Sequence, residues 1–171
     1  MDKYNWLNIH YQYWNGNFFE RITLKSLGLR IQLGHFPGEL CPLPMQASAN
    51  SFTVIDSHGI HEVGMDFCGC GTQGTMTEQL IRRQLYPATV LNPTTAATFR
   101  ALHHFQILSF ESKCSVYQYF QTLARESDNT GTLNIKVSTC IITVKLTLKS
   151  YFRCDIKNYF LWFENGAISR C

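Results

Sequence analysis

The sequence predicts an α+β domain: a small antiparallel sheet or hairpin, followed by two or three packed helices. Three observations predict it. Residues 29–68 carry strand-like alternation, residues 75–125 carry helical spacing with capping patterns, and a Cys68-Gly69-Cys70 pair sits at the junction. The chain has 171 residues, 45% of them hydrophobic and only 16% charged, enough to bury one core.

Leu29-Arg30-Ile31-Gln32-Leu33 alternates apolar and polar residues and reads as a strand ending at Gly34. Phe36-Pro37-Gly38 and Cys41-Pro42-Leu43-Pro44 follow as a loop in which three prolines remove backbone donors. Phe52–Ile55 and Ile60–Cys68 form a β-hairpin around Asp56-Ser57-His58-Gly59, where Asp caps the turn and Gly accepts positive φ. Thr75-Met76-Thr77-Glu78 is a capping box opening a first helix, with Leu80, Ile81 and Leu85 on one face and Pro87 as its stop. Asn92-Pro93-Thr94-Thr95 predicts a second helix carrying Phe99, Leu102 and Phe105. A third is expected over residues 111–125 with Val116, Phe120 and Leu123 on one face.

The net charge of +3 is unevenly placed. Residues 1–70 sum to −2, residues 71–130 to +1 and residues 131–171 to +4. The first 130 residues therefore lack the basic stripe that drives phosphate binding, so the charge does not support DNA contact. No run of about 18 apolar residues predicts a membrane span. The N-terminus lacks the pattern of a secretory signal, and the expected compartment is intracellular, the nucleus included. In a reducing compartment the seven cysteines read as thiols or metal ligands.

The ligand chemistry concentrates on Cys41, Cys68 and Cys70, with His35 and His61 as imidazole donors. Thiolates and imidazole are the donors Zn²⁺ prefers, and four of them in a tetrahedron close a structural site. The fourth ligand is open between His35 and His61, and His58 at the turn tip is the weaker candidate. Gly69-Cys70-Gly71-Thr72-Gln73-Gly74 also matches a dinucleotide fingerprint. That motif calls for an acidic residue about 20 positions on, and none occurs between Glu78 and Glu111. Asp56, His58 and His61 could hold a hydrolytic metal, although Asp56 also reads as a turn cap. Arg82, Arg83 and Arg100 read as solvated helix faces.

Several blocks resemble one family. They are Trp14–Phe19, Ser26–His35, Cys41-Pro42, Gly59–Val63, Phe67–Cys70, Pro87–Thr89, Thr95–Phe99, Ser112-Lys113 and Asp128–Gly131. Together they are similar to the CxC2-like cysteine cluster domain associated with KDZ transposases of fungi. The resemblance covers residues 14–131. It implies a zinc-chelating domain with Cys41, Cys68, Cys70, His35 and His61 as the cluster, and a transposase or other protein as partner.

The chain then divides into an aromatic-rich N-terminal remnant (1–27), the cysteine cluster domain (28–131) and a tail (132–171). The tail shows no likeness to the family and reads as a decayed element or a translated intron. The family's catalytic carboxylates have no counterpart in these 171 residues. The expected function is therefore a non-catalytic, zinc-binding accessory domain of a KDZ-type transposable element, mediating protein or weak DNA contacts. A degenerate fragment without selected function, or a metal-dependent hydrolase, are the alternatives.

Overall fold

A computed structural model describes residues 11–128, apart from residues 24, 37, 48–50 and 72. The tail expectation for residues 132–171 and the first ten residues lie outside this range.

The described residues form an α+β fold with a small antiparallel sheet, a larger mixed sheet and three helices. β1 (Tyr11–Trp14) and β2 (Phe19–Ile22) pair as an antiparallel hairpin around Asn15, whose side chain accepts from the backbone N–H groups of Asn17 and Phe18. Trp14 and Phe19 meet across the strands at 5.0 Å between ring centroids. Both remain more than half exposed, so this hairpin is too small to bury its own aromatics.

The larger sheet is built on β6 (Gly59–Cys68), and β5 (Phe52–Asp56) runs antiparallel to it, as the hairpin reading predicts. β3 (Arg30–Gln32) pairs with β6 in parallel, and β4 (Pro44–Gln46) pairs antiparallel with its last residues. On the far side β8 (Thr95–Thr98) pairs in parallel with β5 and antiparallel with β7 (Leu85–Pro87). The order is β3-β6-β5-β8-β7 with β4 also on β6. The expected small antiparallel sheet and hairpin are present, and the larger sheet built around the hairpin is mixed. The two parallel pairings join strands separated by long connections, which no local turn signal announces.

Two apolar layers flank this sheet. Leu33, Phe52, Val54, Met65, Phe67 and Leu80 pack together with α1 (Met76–Arg82) on one side. Ile55, Ala97, Leu102, Phe105, Phe120 and Leu123 pack together with α2 (Phe99–Glu111) and α3 (Val116–Ser127) on the other. Phe52 and Val54 face one layer while Ile55 faces the other, the alternation a pleated strand requires.

α1 starts at the predicted capping box, with Thr75 accepting from Glu78 N and the Glu78 carboxylate accepting from Thr75 N. It ends before Pro87. Gln84 adopts φ 59°, the chain reverses, and Pro87 closes the short edge strand β7. α2 begins four residues later than expected, with Thr98 as N-cap. Thr95–Thr98, read above as helical, is strand β8, because its small side chains are completely buried between the two layers. α3 begins at a second capping box, Ser115 with Gln118.

Arg100 is also corrected. It donates to the Asp56 carboxylate, which is fully buried and also accepts from Thr98 Oγ1 at 2.7 Å. Burial raises the Asp56 carboxyl, but the Arg100 and Thr98 bonds and the Ser57 N–H outweigh it and hold the group below its ordinary value. Asp56 is therefore the ionised lock between the hairpin turn and the start of α2.

Candidate metal centre

The site forms where three pieces of backbone converge. β3 ends at Gln32, Leu33 N–H donates to Asp66 O at 2.8 Å, and Gly34 turns the chain with φ 86°. This turn delivers the half-buried His35. A Cβ on Gly34 would lie 2.4 Å from Cys68 Cβ, so only glycine lets the two segments approach this closely. The loop then crosses to the buried Cys41 and returns as β4. Gly69 N–H donates to Leu43 O at 2.8 Å, which ties the Cys68-Gly69-Cys70 turn to the Cys41 loop.

His35, Cys41, Cys68 and Cys70 place their four ligand atoms within 4.8 Å of one another. Cys41 Sγ lies 3.4 Å from Cys68 Sγ and 3.8 Å from Cys70 Sγ. His35 Nε2 lies 3.2 Å from Cys68 Sγ and 3.9 Å from Cys70 Sγ. A tetrahedral Zn²⁺ with bonds of about 2.3 Å to sulfur and 2.0 Å to nitrogen needs edges of roughly 3.8 and 3.5 Å. The arrangement fits a cation of that size. It does not fit disulfides, whose sulfurs are about 2.05 Å apart, and all three cysteines are free thiols.

Electrostatics point the same way. Burial raises the Cys41 thiol, but the Leu43 N–H and hydrogen bonds with Cys68, Cys70 and His35 outweigh it and bring it down to about 7. Cys70 is pushed up to about 11, by its neighbour Cys68 first, then by burial and Cys41. Without a cation, one thiolate forms at the expense of the next. A dication among the sulfurs inverts that repulsion and lets all three ionise. Cys70 N–H, 3.3 Å from Cys68 Sγ, adds a donor toward a thiolate there.

Four of the five ligand candidates therefore come together, and His61 does not. It lies on β6 seven residues before Cys68, opposite Val54 in the hairpin. At about 3.3 Å per residue that places it roughly 23 Å along the strand from the cluster. The two cysteines of the C-x-C pair do not share a strand face. Instead β6 ends at Cys68, and Cys70 reaches the site through a turn closed by Gln73 N–H to Cys70 O at 3.1 Å.

Of the hydrolytic set, His58 Nδ1 does lie 3.3 Å from Asp56 Oδ2, but the carboxylate is already committed to other partners. The Asp56 carboxylate is held by Thr98 and Arg100, and the one group of three or more convergent metal-type ligands among the described residues is the Cys/His cluster. The glycine-rich segment follows a strand antiparallel to its predecessor, so it is a ligand turn and not the start of a parallel dinucleotide-binding unit.

Sequence reasoning missed three supporting residues. Arg83, read as solvated, donates to His35 O at 2.8 Å. Glu39 sits 3.9 Å from His35 Nδ1, within reach of the ligand's second nitrogen. Gln79 is buried in α1 and bonds the Cys68 backbone. The signal that could have found Gln79 is a polar residue beside Leu80 in a short helix just after the C-x-C pair.

Fold and site together define a small domain organised around a three-cysteine, one-histidine cluster. The family model for the CxC2-like cysteine cluster associated with KDZ transposases matches residues 24–131. The chain belongs to that family. Comparison with curated proteins and with solved structures finds no match. Among the described residues no helix is long and apolar enough to cross a membrane.

Proposed function

We propose that this domain is a non-catalytic, zinc-binding accessory module of a KDZ-type transposable element. The observation that carries the reading is the convergence of His35, Cys41, Cys68 and Cys70 on one point. Three thiolates with one imidazole are the soft and borderline donors that select Zn²⁺ over Mg²⁺ or Ca²⁺. Four protein ligands fill a tetrahedron, leaving no position for a reactive water, which supports a structural role.

The module works through protein contacts, with the element's transposase as the first candidate partner. Charge supports a protein over nucleic acid. The family-matched segment holds seven Lys/Arg against eight Asp/Glu, a net −1, whereas DNA binding draws its affinity from phosphate neutralisation. Exposed Phe36, Leu40 and Leu43 on the loop around Cys41 give that face apolar area for such a contact.

Elemental analysis of the purified chain tests the metal. About one Zn²⁺ per chain is expected, and metal-free protein that stays folded and refuses added Zn²⁺ would overturn the reading.

A further inference from the structure

The end of β6 carries a hydrogen-bonding problem that a side chain solves. On the β4 side, Ala47 N–H donates to Met65 O at 2.9 Å and Gly69 N–H to Leu43 O at 2.8 Å. The alternation of an antiparallel ladder then turns the N–H and C=O of Cys68 toward the opposite edge, the one β3 occupies. But β3 stops one step short. Its last bond is Leu33 N–H to Asp66 O, after which Gly34 turns the chain away toward His35. Both backbone groups of a buried residue would be orphaned there, which is costly.

The Gln79 amide fills the gap. Its Oε1 accepts from Cys68 N at 2.9 Å, and its Nε2 donates to Cys68 O at 2.9 Å and to Gly74 O at 3.2 Å. The side chain is 1% exposed. A planar amide presenting one donor and one acceptor to one residue does what the next residue of β3 would have done. It also holds both ends of the ligand turn, Cys68 and Gly74, against α1. The same Oε1 lies 3.4 Å from where a Gly34 Cβ would stand, so Gln79, Gly34 and Cys68 occupy one packed point.

We propose that Gln79 is the positioning residue of the metal centre: it stands in for the missing strand and fixes the Cys68 backbone so that its sulfur meets the other three ligands. This rests on the metal-binding reading above. Gln79 touches no metal. It acts through Cys68, whose Sγ lies 3.4 Å from Cys41 Sγ and 3.2 Å from His35 Nε2.

The test is Co²⁺ titration of the metal-stripped full chain, followed by Zn²⁺ competition, for the wild type, Gln79→Glu and Gln79→Met. Gln79→Glu keeps the shape and the acceptor but loses the donor when ionised. Gln79→Met removes both. Zn²⁺ affinity should fall about tenfold for Gln79→Glu and toward a hundredfold for Gln79→Met, the range seen when residues supporting metal ligands are lost. The Co²⁺ ligand-field and thiolate charge-transfer bands should shift or broaden in both. Gln79→Glu remains informative if Gln79→Met does not fold. Variants with unchanged spectra and unchanged Zn²⁺ affinity, even if less heat-stable, would make Gln79 a structural residue only and overturn the proposal. A wild-type chain that gives no tetrahedral Co²⁺ spectrum would instead sink the metal reading itself.

Discussion

Replacing Cys68 and Cys70 together with serine is expected to abolish zinc binding and to remove the cooperative thermal transition of the domain. Serine hydroxyls are neutral, hard donors, and only Cys41 and His35 would be left from the four ligands. The consequence extends beyond the metal. The described residues of the 33–43 segment are in no helix or strand, yet they include two of the ligands and lie between β3 and β4. The direct bonds securing them are few, chiefly Arg83 to His35 O, Leu33 N–H to Asp66 O and Gly69 N–H to Leu43 O. Structural zinc contributes about 10–16 kcal/mol of apparent binding free energy. A domain of this size is stable by only about 5–15 kcal/mol. Losing the ion is therefore comparable to losing the whole margin. Circular dichroism melts of the variant and of chelator-treated wild type should agree, both showing a broad, early transition. Melts matching the untreated wild type would show that the cluster contributes nothing to folding.

Gly34→Ala should do nearly as much damage without touching a ligand. At φ 86° an alanine is strained, and its Cβ would sit 2.4 Å from Cys68 Cβ. Neither side can yield cheaply. Cys68 is held by Gln79 on one edge and followed by a turn tied to Leu43 on the other, and His35 is held by Arg83. Backbone strain of about 1–3 kcal/mol adds to overpacking of similar size, so about 4 kcal/mol is expected, with the His35 and Cys68 donors forced apart. Gly28→Ala is the control. Gly28 has nearly the same φ, 87°, but nothing within 4 Å of an added Cβ. It should cost only about 1 kcal/mol and leave metal content unchanged. Zinc content and urea midpoints of the two variants decide the matter. Equal behaviour would mean that close approach at Gly34 is irrelevant to the site.

The parts of this fold that were legible in the sequence are those set by local chemistry. The β5–β6 hairpin shows because Asp56-Ser57-His58-Gly59 sits between two strand-like runs, and α1 shows because Thr75 and Glu78 cap one another. Cys41, Cys68 and Cys70 announced the cluster by residue type, while its histidine stayed open. The rest depends on partners distant in the chain. Thr95–Thr98 is rich in alanine and follows a helix-like start, yet its parallel pairing with β5 in the core overrides that preference. β4 begins with Pro44, which was read as loop, but it pairs with the end of β6. His35 and His61 were indistinguishable as ligands until the ten-residue length of β6 separated them. Arg100, charged and helical, reads as solvated unless one knows that α2 begins against Asp56. Gln79 is the extreme case, because its role exists only where β3 stops short of Cys68.

The most direct measurement is X-ray absorption at the zinc edge of the metal-loaded chain. Three sulfur scatterers near 2.3 Å and one imidazole nitrogen near 2.0 Å are predicted, with the nitrogen lost in His35→Ala and retained in His61→Ala. A shell of oxygen and nitrogen without sulfur, or a nitrogen that vanishes with His61 and not with His35, would contradict the account.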